Sequence, residues 1–245
     1  MENTNSLVEK NTGPTVPAIP SVERRMFLRH LGLFTASTAA FLTACSKEAL
    51  VNPNASTAAR VAADGTVDLG SGDIGILNYA YALEQLEAAF YTTAVEKTMG
   101  LSEKDKKALM EIREHEVVHR ELFKAALGSA AIPDLEVDFS SIDWNSRNAV
   151  FDAANKFEST GVGAYNGAGK LLKTSAFLVL AGKIVSVEAR HAAYTAYMLY
   201  PGQKFDIAHE LINGNGLDVA YTPSQVLSGV QMYIKQKISG ANLPS

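Results

Sequence analysis

Residues 112–123 read IREHEVVHRELF, and residues 184–195 read IVSVEARHAAYT. Both stretches contain the pattern Glu-x-x-His, whose two polar side chains share one face of an α-helix because they are three positions apart. In the first stretch Ile112 and Phe123 fall on that same face, so its surroundings are apolar. The pattern predicts two helices that each direct a carboxylate and an imidazole into a protein core: Glu116 with His119, and Glu188 with His191.

Apolar residues recur at helical spacing in four long segments of the chain. These segments are residues 73–97, 102–127, 147–172 and 175–200. Ser102 and Asp105 form a variant of the capping box at the start of the second segment. A shorter helix is predicted over residues 223–238, within a C-terminal region (201–245) that packs on the bundle. No segment shows a sustained period of two, so the chain is predicted to be all-α.

The two remaining long helices each place one glutamate on their apolar stripe, Glu84 in the first and Glu158 in the third. Glu87 lies one turn from Glu84 and is the alternative ligand of the first helix, an outer-shell acid, or a solvated residue. Residues 129–145 contain Pro133 and mixed polar residues, which predicts a long crossover between the second and third helices. Such crossovers occur in four-helix bundles.

Four buried glutamates would repel one another, and an unpaired buried charge costs several kcal/mol. Bound cations would remove that cost. The only cysteine is Cys45, which excludes thiolate zinc sites and iron–sulfur clusters, because both need several thiols. A mixed set of carboxylates and imidazoles suits two ions of iron, or of manganese as the second choice. The predicted ligands are Glu84, Glu116, His119, Glu158, Glu188 and His191.

In the order of these residues along the chain, the sequence resembles the ferritin-like superfamily, which includes bacterioferritin, rubrerythrin and manganese catalase. The resemblance covers residues 73–200, and Tyr91 matches a tyrosine of ferritin first helices. It implies a ferritin-like four-helix bundle around a di-metal carboxylate site, with redox chemistry on oxygen, peroxide or ferrous iron. No Cys-x-x-Cys pair is present, so a rubredoxin-type relay is missing and an external electron donor is expected.

Several neighbours of the predicted ligands have two interpretations each. Tyr91 and Tyr165 are either simple core aromatics or hydrogen-bond donors to a ligand carboxylate. Asn155 is a weaker candidate for such a contact. His115 lies one step off the ligand stripe and is interpreted as an exposed or half-buried histidine, with a metal role as the alternative.

Residues 23–45 read ERRMFLRHLGLFTASTAAFLTAC, with basic residues, an apolar run and then small residues before the cysteine. This is the pattern of a secretory signal. Arg24 and Arg25 resemble a twin-arginine export signal, although Glu23 stands where that family usually has Ser or Thr. The residues before Cys45 resemble a bacterial lipobox, which implies lipidation of Cys45 and a membrane-anchored protein at the periplasmic or outer face of the bacterial envelope. Residues 46–72 are predicted to form a flexible linker.

Three functional hypotheses remain after nucleic-acid binding is set aside. The net charge of −4 disfavours nucleic-acid binding. The first hypothesis is a di-metal oxidoreductase that acts on a small-molecule oxidant at the envelope. The second is a metal-binding or stress-protective module without turnover, because a fold does not settle function. A purely structural bundle is the third, and it predicts no bound metal.

Overall fold

The structure is a computed structural model that describes residues 60–200 and 212–245. The predicted export signal, the lipobox cysteine Cys45 and the first part of the predicted linker lie outside the described residues. None of the described helices combines the length and the apolar character that a bilayer crossing requires.

Four long helices form the body of the described chain, which confirms the predicted all-α bundle. They are α1 (Gly72–Lys97), α2 (Glu103–Leu127), α3 (Arg147–Gly169) and α4 (Ser175–Leu199), followed by the shorter α5 (Pro223–Val230). Short 3-10 helices span Gly128–Ala130 and Gln231–Tyr233. Helix α1 packs mainly against α2, and α3 packs mainly against α4, whereas α2 and α4 meet over only a short stretch. The bundle is therefore two helical hairpins placed side by side.

The beginnings of α2 and α3 are tied together by a single acidic side chain. Ser102 and Asp105 form the predicted capping box, with the Ser102 hydroxyl accepting from the Asp105 backbone N–H at 3.1 Å. The Asp105 carboxylate also accepts two hydrogen bonds from the guanidinium of Arg147, at 2.7 and 3.1 Å. A bidentate pair of this kind fixes geometry as well as charge, so the crossover ends at a defined position beside α2.

The crossover itself is held against α1 by two buried amide side chains. Asn78 donates to the backbone carbonyls of Leu69 and Ala130 at 3.1 and 2.9 Å and accepts from the N–H of Ile132 at 2.9 Å. Two turns further along α1, Gln85 accepts from the N–H of Leu135 at 2.8 Å. These contacts satisfy backbone groups that would otherwise be buried without partners, so the long connection packs as part of the core.

The predicted linker over residues 46–72 is wrong for its last part, because residues 60–69 contribute to a small sheet. Strand β1 (Arg60–Val61) pairs antiparallel with β2 (Val67–Asp68), and β2 pairs in parallel with β3 (Ile238–Ser239). Val67 and Leu69 are fully buried. The predicted C-terminal helix over residues 223–238 is correspondingly too long. The cause is a pairing between the two ends of the domain, which two-residue strands cannot reveal locally.

Two glycines of α3 allow the chain before α5 to approach the helix backbone. The N–H of Tyr221 donates to the carbonyl of Gly163 at 2.8 Å. A Cβ placed on Gly167 would lie 1.7 Å from the backbone oxygen of Tyr221. At these two positions the glycines of α3 therefore permit close approach of the following chain.

We expect Gly167→Ala to lower the free energy of unfolding by about 1–3 kcal/mol, the usual cost of overpacking. Backbone cannot move aside as a flexible side chain can, so the loss should exceed the gain of about 1 kcal/mol in helix propensity. Gly182→Ala is the matched control, since Gly182 is helical and exposed and an added Cβ meets no atom there. Urea unfolding of both variants measures the difference, and a stabilised Gly167→Ala variant would contradict the packing described.

Candidate metal centre

The six predicted ligands are brought together in the middle of the bundle. Each glutamate of the set is fully buried, and the two histidines are 8% and 5% exposed. Helices α1 and α3 each supply one carboxylate, and helices α2 and α4 each supply a carboxylate and an imidazole from the Glu-x-x-His pattern. The six residues are Glu84 on α1, Glu116 and His119 on α2, Glu158 on α3, and Glu188 and His191 on α4.

One half of the site is arranged around the Nδ1 atom of His119. This nitrogen lies 2.9 Å from Oε1 of Glu188 and 3.3 Å from Oε2 of Glu116. Oε2 of Glu84 lies 3.5 Å from it. The four donor atoms are mutually within 4.8 Å, so one ion could contact all of them.

The other half is arranged around Nδ1 of His191 in the same way. This nitrogen lies 2.8 Å from Oε1 of Glu116, 3.4 Å from Oε2 of Glu158 and 3.9 Å from Oε2 of Glu188. Glu116 and Glu188 therefore turn one oxygen toward each histidine. The two halves share these two carboxylates, while Glu84 and Glu158 each belong to one half only.

Most of the facing donor atoms are buried and unsatisfied. Within the described residues, no hydrogen bond of acceptable geometry is made by Oε2 of Glu84, Oε1 of Glu116, Oε2 of Glu158, both carboxylate oxygens of Glu188 and Nδ1 of His191, although Nδ1 of His191 and Oε1 of Glu116 are only 2.8 Å apart. A buried polar atom without a partner is rare and costs about 1–3 kcal/mol. Metal–donor bonds of about 2.1 Å place neighbouring donors on one ion about 3 Å apart, close to the spacings observed. Two divalent cations therefore fit the donor set, and they would satisfy these atoms together.

The electrostatics of the site without cations show how strongly the carboxylates need positive charge. Burial, with repulsion from Glu188 and Glu116, raises the pKa of Glu84 to about 8 against the attraction of His119. Burial and repulsion from Glu116 also raise the pKa of Glu188. Burial opposes ionisation of Glu116 as well, but contacts with both histidines lower its pKa to about 2. In the absence of cations the cluster must therefore hold protons, and entering cations must displace them.

Two tyrosine hydroxyls bind the two carboxylates that are not shared between the halves of the site. The hydroxyl of Tyr91 donates to Oε1 of Glu158 at 2.5 Å. The hydroxyl of Tyr165 donates to Oε1 of Glu84. In both glutamates the other oxygen, Oε2, is the one that faces a histidine. Both tyrosines are thus core aromatics and also hydrogen-bond partners of the predicted ligands.

Glu87 is 3% exposed, so its interpretation as a solvated residue is wrong. The structure places Glu84, and not Glu87, in a group of converging donors. A Cβ on Gly161 would lie only 3.1 Å from Oε1 of Glu87, which shows that the glycine makes room for this carboxylate. Burial and repulsion from Glu188 raise the pKa of Glu87 well above its usual range. Glu87 is therefore a buried acid beside the cluster, in surroundings that favour its neutral form.

His115 is exposed, as predicted, but it also touches the site. Its Nδ1 lies 2.8 Å from Nε2 of His191, and the two rings lie edge to edge in nearly the same plane, with an angle of 8° between them and centroids 5.1 Å apart. The spacing within the sequence gave no sign of this contact, because it crosses from α2 to α4. Asn155, in contrast, donates to the carbonyl of Ala192 at 3.0 Å and to the hydroxyl of Thr195 at 3.3 Å, and it does not bond to a predicted ligand.

Comparison with known families agrees with this geometry. The family model described as a ferritin-like domain matches residues 72–201, a span that contains the four long helices and the six converging side chains. No curated protein matches the chain. Since the family model covers more than half of the 245 residues, the chain belongs to the ferritin-like domain family.

Proposed function

We propose that this chain is a di-metal carboxylate protein that carries out redox chemistry at the bacterial cell envelope. The observation that supports the proposal is the pair of four-residue donor groups that share Glu116 and Glu188. Oxygen and nitrogen donors without thiolate favour iron, with manganese as the second choice. The substrate class is a small oxidant, either dioxygen or a peroxide, or ferrous iron itself.

When bound, two ions that each give up one electron could reduce hydrogen peroxide, with two protons, to two molecules of water. The chain supplies the geometry for such a reaction. Glu116 and Glu188 would set the distance between the two metal positions. The hydroxyls of Tyr91 and Tyr165 orient the carboxylates of Glu158 and Glu84. The packed helices exclude bulk water, which strengthens every electrostatic interaction inside.

Anaerobic loading followed by oxidant challenge tests the proposal. The metal-free protein is titrated with ferrous or manganous ions, the bound metal is counted, and consumption of dioxygen or peroxide is then followed. Two bound ions and rapid consumption would support the redox function. Two bound ions without consumption would favour the alternative, a metal-binding or stress-protective module. Absence of bound metal would leave only a structural bundle.

His115→Phe should weaken metal binding about tenfold, because outer partners of a metal-ligating histidine typically contribute 10–100-fold in affinity. Phenylalanine keeps an aromatic ring at this position but removes the nitrogen that would accept from Nε2–H of His191 when Nδ1 of His191 binds a metal ion. Competition titrations with a coloured chelator measure the affinity. His115→Gln, which can still accept a hydrogen bond, should recover most of the loss. Unchanged affinity in His115→Phe would show that the contact does not position His191.

The envelope location rests on the signal pattern of residues 23–45 and on the lipobox cysteine. Lipidation of Cys45 would tether the bundle to a membrane, and an external donor would then return electrons to the metals. We expect Cys45→Ser to move the protein from the membrane fraction to the soluble fraction and to abolish incorporation of labelled fatty acid. Ser46→Ala is the matched control. A membrane-bound Cys45→Ser variant would overturn the lipid anchor.

A further inference from the structure

A narrow apolar cleft lies among α1, α2, α3 and α4, beside the predicted metal centre. Its deep end is lined by Leu83, Phe123 and Tyr165, which are all buried. Its outer end is lined by Phe177, Leu180 and Ala181, which are only partly buried. The cleft therefore connects the surface of α4 with the core of the bundle.

The deep end of the cleft touches the side chains that hold the centre. Tyr165 lines the cleft and donates its hydroxyl to Glu84. Leu83 is the residue before Glu84 on α1, and the ring of Phe123 stacks on that of Tyr165 with centroids 6.4 Å apart. A molecule at this end would contact Tyr165, whose hydroxyl is bonded to Glu84 in one half of the site.

The size and the chemistry of the cleft limit its occupant. It offers a volume of about 20 Å³ to the centre of a water-sized molecule, which is room for only one or two such molecules. Its walls are almost wholly apolar, and the hydroxyl of Tyr165 is already used by Glu84. The hydroxyl of Tyr79 has no partner among the described residues and is the one side-chain group of the lining that an occupant could bond. A buried water needs two to four polar partners, and hydrogen peroxide, with two O–H groups, needs at least as many, so a single hydroxyl satisfies neither. A small apolar molecule loses no hydrogen bonds on entering.

We infer that this cleft is a dioxygen-selective route to the Glu84 half of the centre, an inference that rests on the proposed redox function. Dioxygen is the apolar member of the two oxidant classes considered above, and it is of the size that the cleft admits. Peroxide must then reach the metals elsewhere, or it is not the oxidant. The contact between α2 and α4 is short, and His115 is exposed on that side of the centre. A polar molecule such as peroxide would therefore reach the centre between these two helices.

Dioxygen itself is the probe for the first test, which uses the full chain in its metal-free form. Dissolved dioxygen speeds the nuclear relaxation of methyl groups that it approaches, so NMR under increasing dioxygen pressure locates it. We expect the methyl groups of Leu83 and Leu77, which line the cleft, to relax several-fold faster. The methyl groups of Leu109, which is equally buried on α2 but outside the cleft, should change little. Equal effects at Leu83 and Leu109 would overturn the inference.

A blocking variant supplies the second test. Ala181→Phe places a ring at the outer end of the cleft, and Gly182→Phe places the same ring at the next position, where added atoms meet open space. Ala181→Phe should reduce the relaxation effect at Leu83 several-fold and slow oxidation of bound iron by dioxygen several-fold, while oxidation by peroxide stays unchanged. Gly182→Phe should change none of these. Equal slowing with both oxidants, or slowing with neither, would overturn the route.

The two arms separate failure of this inference from failure of the proposed function. The relaxation measurement on the natural chain needs neither bound metal nor a variant that folds. If the protein binds no metal but dioxygen is detected at Leu83, the redox function is refuted while the entry of dioxygen into the cleft is supported. A protein that oxidises bound iron with dioxygen but shows no enrichment at Leu83 would keep the function and refute the cleft.

Discussion

Glu116→Ala is expected to leave the protein with no tightly bound metal, whereas Glu158→Ala should leave one ion. The reason is the sharing of donors described above. Glu116 presents one oxygen to each histidine, at 3.3 and 2.8 Å, so its loss removes a donor from both positions. Glu158 faces only His191, at 3.4 Å. The loss of a direct ligand should exceed the 10–100-fold effect usual for outer partners.

Metal content after gel filtration measures this difference, with manganese or iron loaded under anaerobic conditions. Glu121→Ala is the matched control, because Glu121 lies on the same helix and is exposed, and it should bind both ions. The double variant of Glu116→Ala and His119→Ala should bind none while its far-UV circular dichroism stays close to that of the natural chain. Two tightly held ions in either Glu116 variant would refute the assignment of the centre.

The sequence was sufficient to predict the parts of this protein that depend on local periodicity. A Glu-x-x-His pattern at core positions indicates which face of a helix is buried. Two such patterns, together with Glu84 and Glu158, indicate the buried face of all four long helices. The four long helices and the convergence of the six side chains follow from that. Capping at Ser102 was equally predictable, because the capping box is complete within four residues.

The parts that were missed depend on contacts between distant segments. The pairing of β2 with β3 joins residues 67–68 to residues 238–239, and strands of two residues have no periodicity to detect. The burial of Glu87 depends on Gly161 in another helix, and the contact of His115 with His191 depends on how α2 and α4 meet. A single sequence contains the residues of these contacts but not the packing that creates them.

Metal binding is expected to raise the melting temperature of the protein by about 10 °C, since a ligand at a thousand times its Kd contributes about 4 kcal/mol and 1 kcal/mol shifts a domain of this size by about 2–4 °C. The rise should be larger at pH 8.5 than at pH 6. Without cations, the pKa of Glu84 is raised to about 8 and that of His191 to about 10. The stability that such protonated groups contribute is lost as the pH rises toward these values.

Over the same interval Glu116 has no opposing effect, because its pKa is lowered to about 2 and it stays ionised throughout. Bound cations replace the protons of the cluster, so the loaded protein should lose little stability between pH 6 and pH 8.5 while the metal-free protein loses more. Differential scanning calorimetry of both forms at both pH values measures the difference in melting temperature between the loaded and the metal-free protein. In Glu116→Ala, added metal should no longer change the melting temperature at either pH. If the metal-free protein were more stable at pH 8.5 than at pH 6, its buried carboxyl groups would be stable in their ionised form. Bound cations would then not be required to neutralise them.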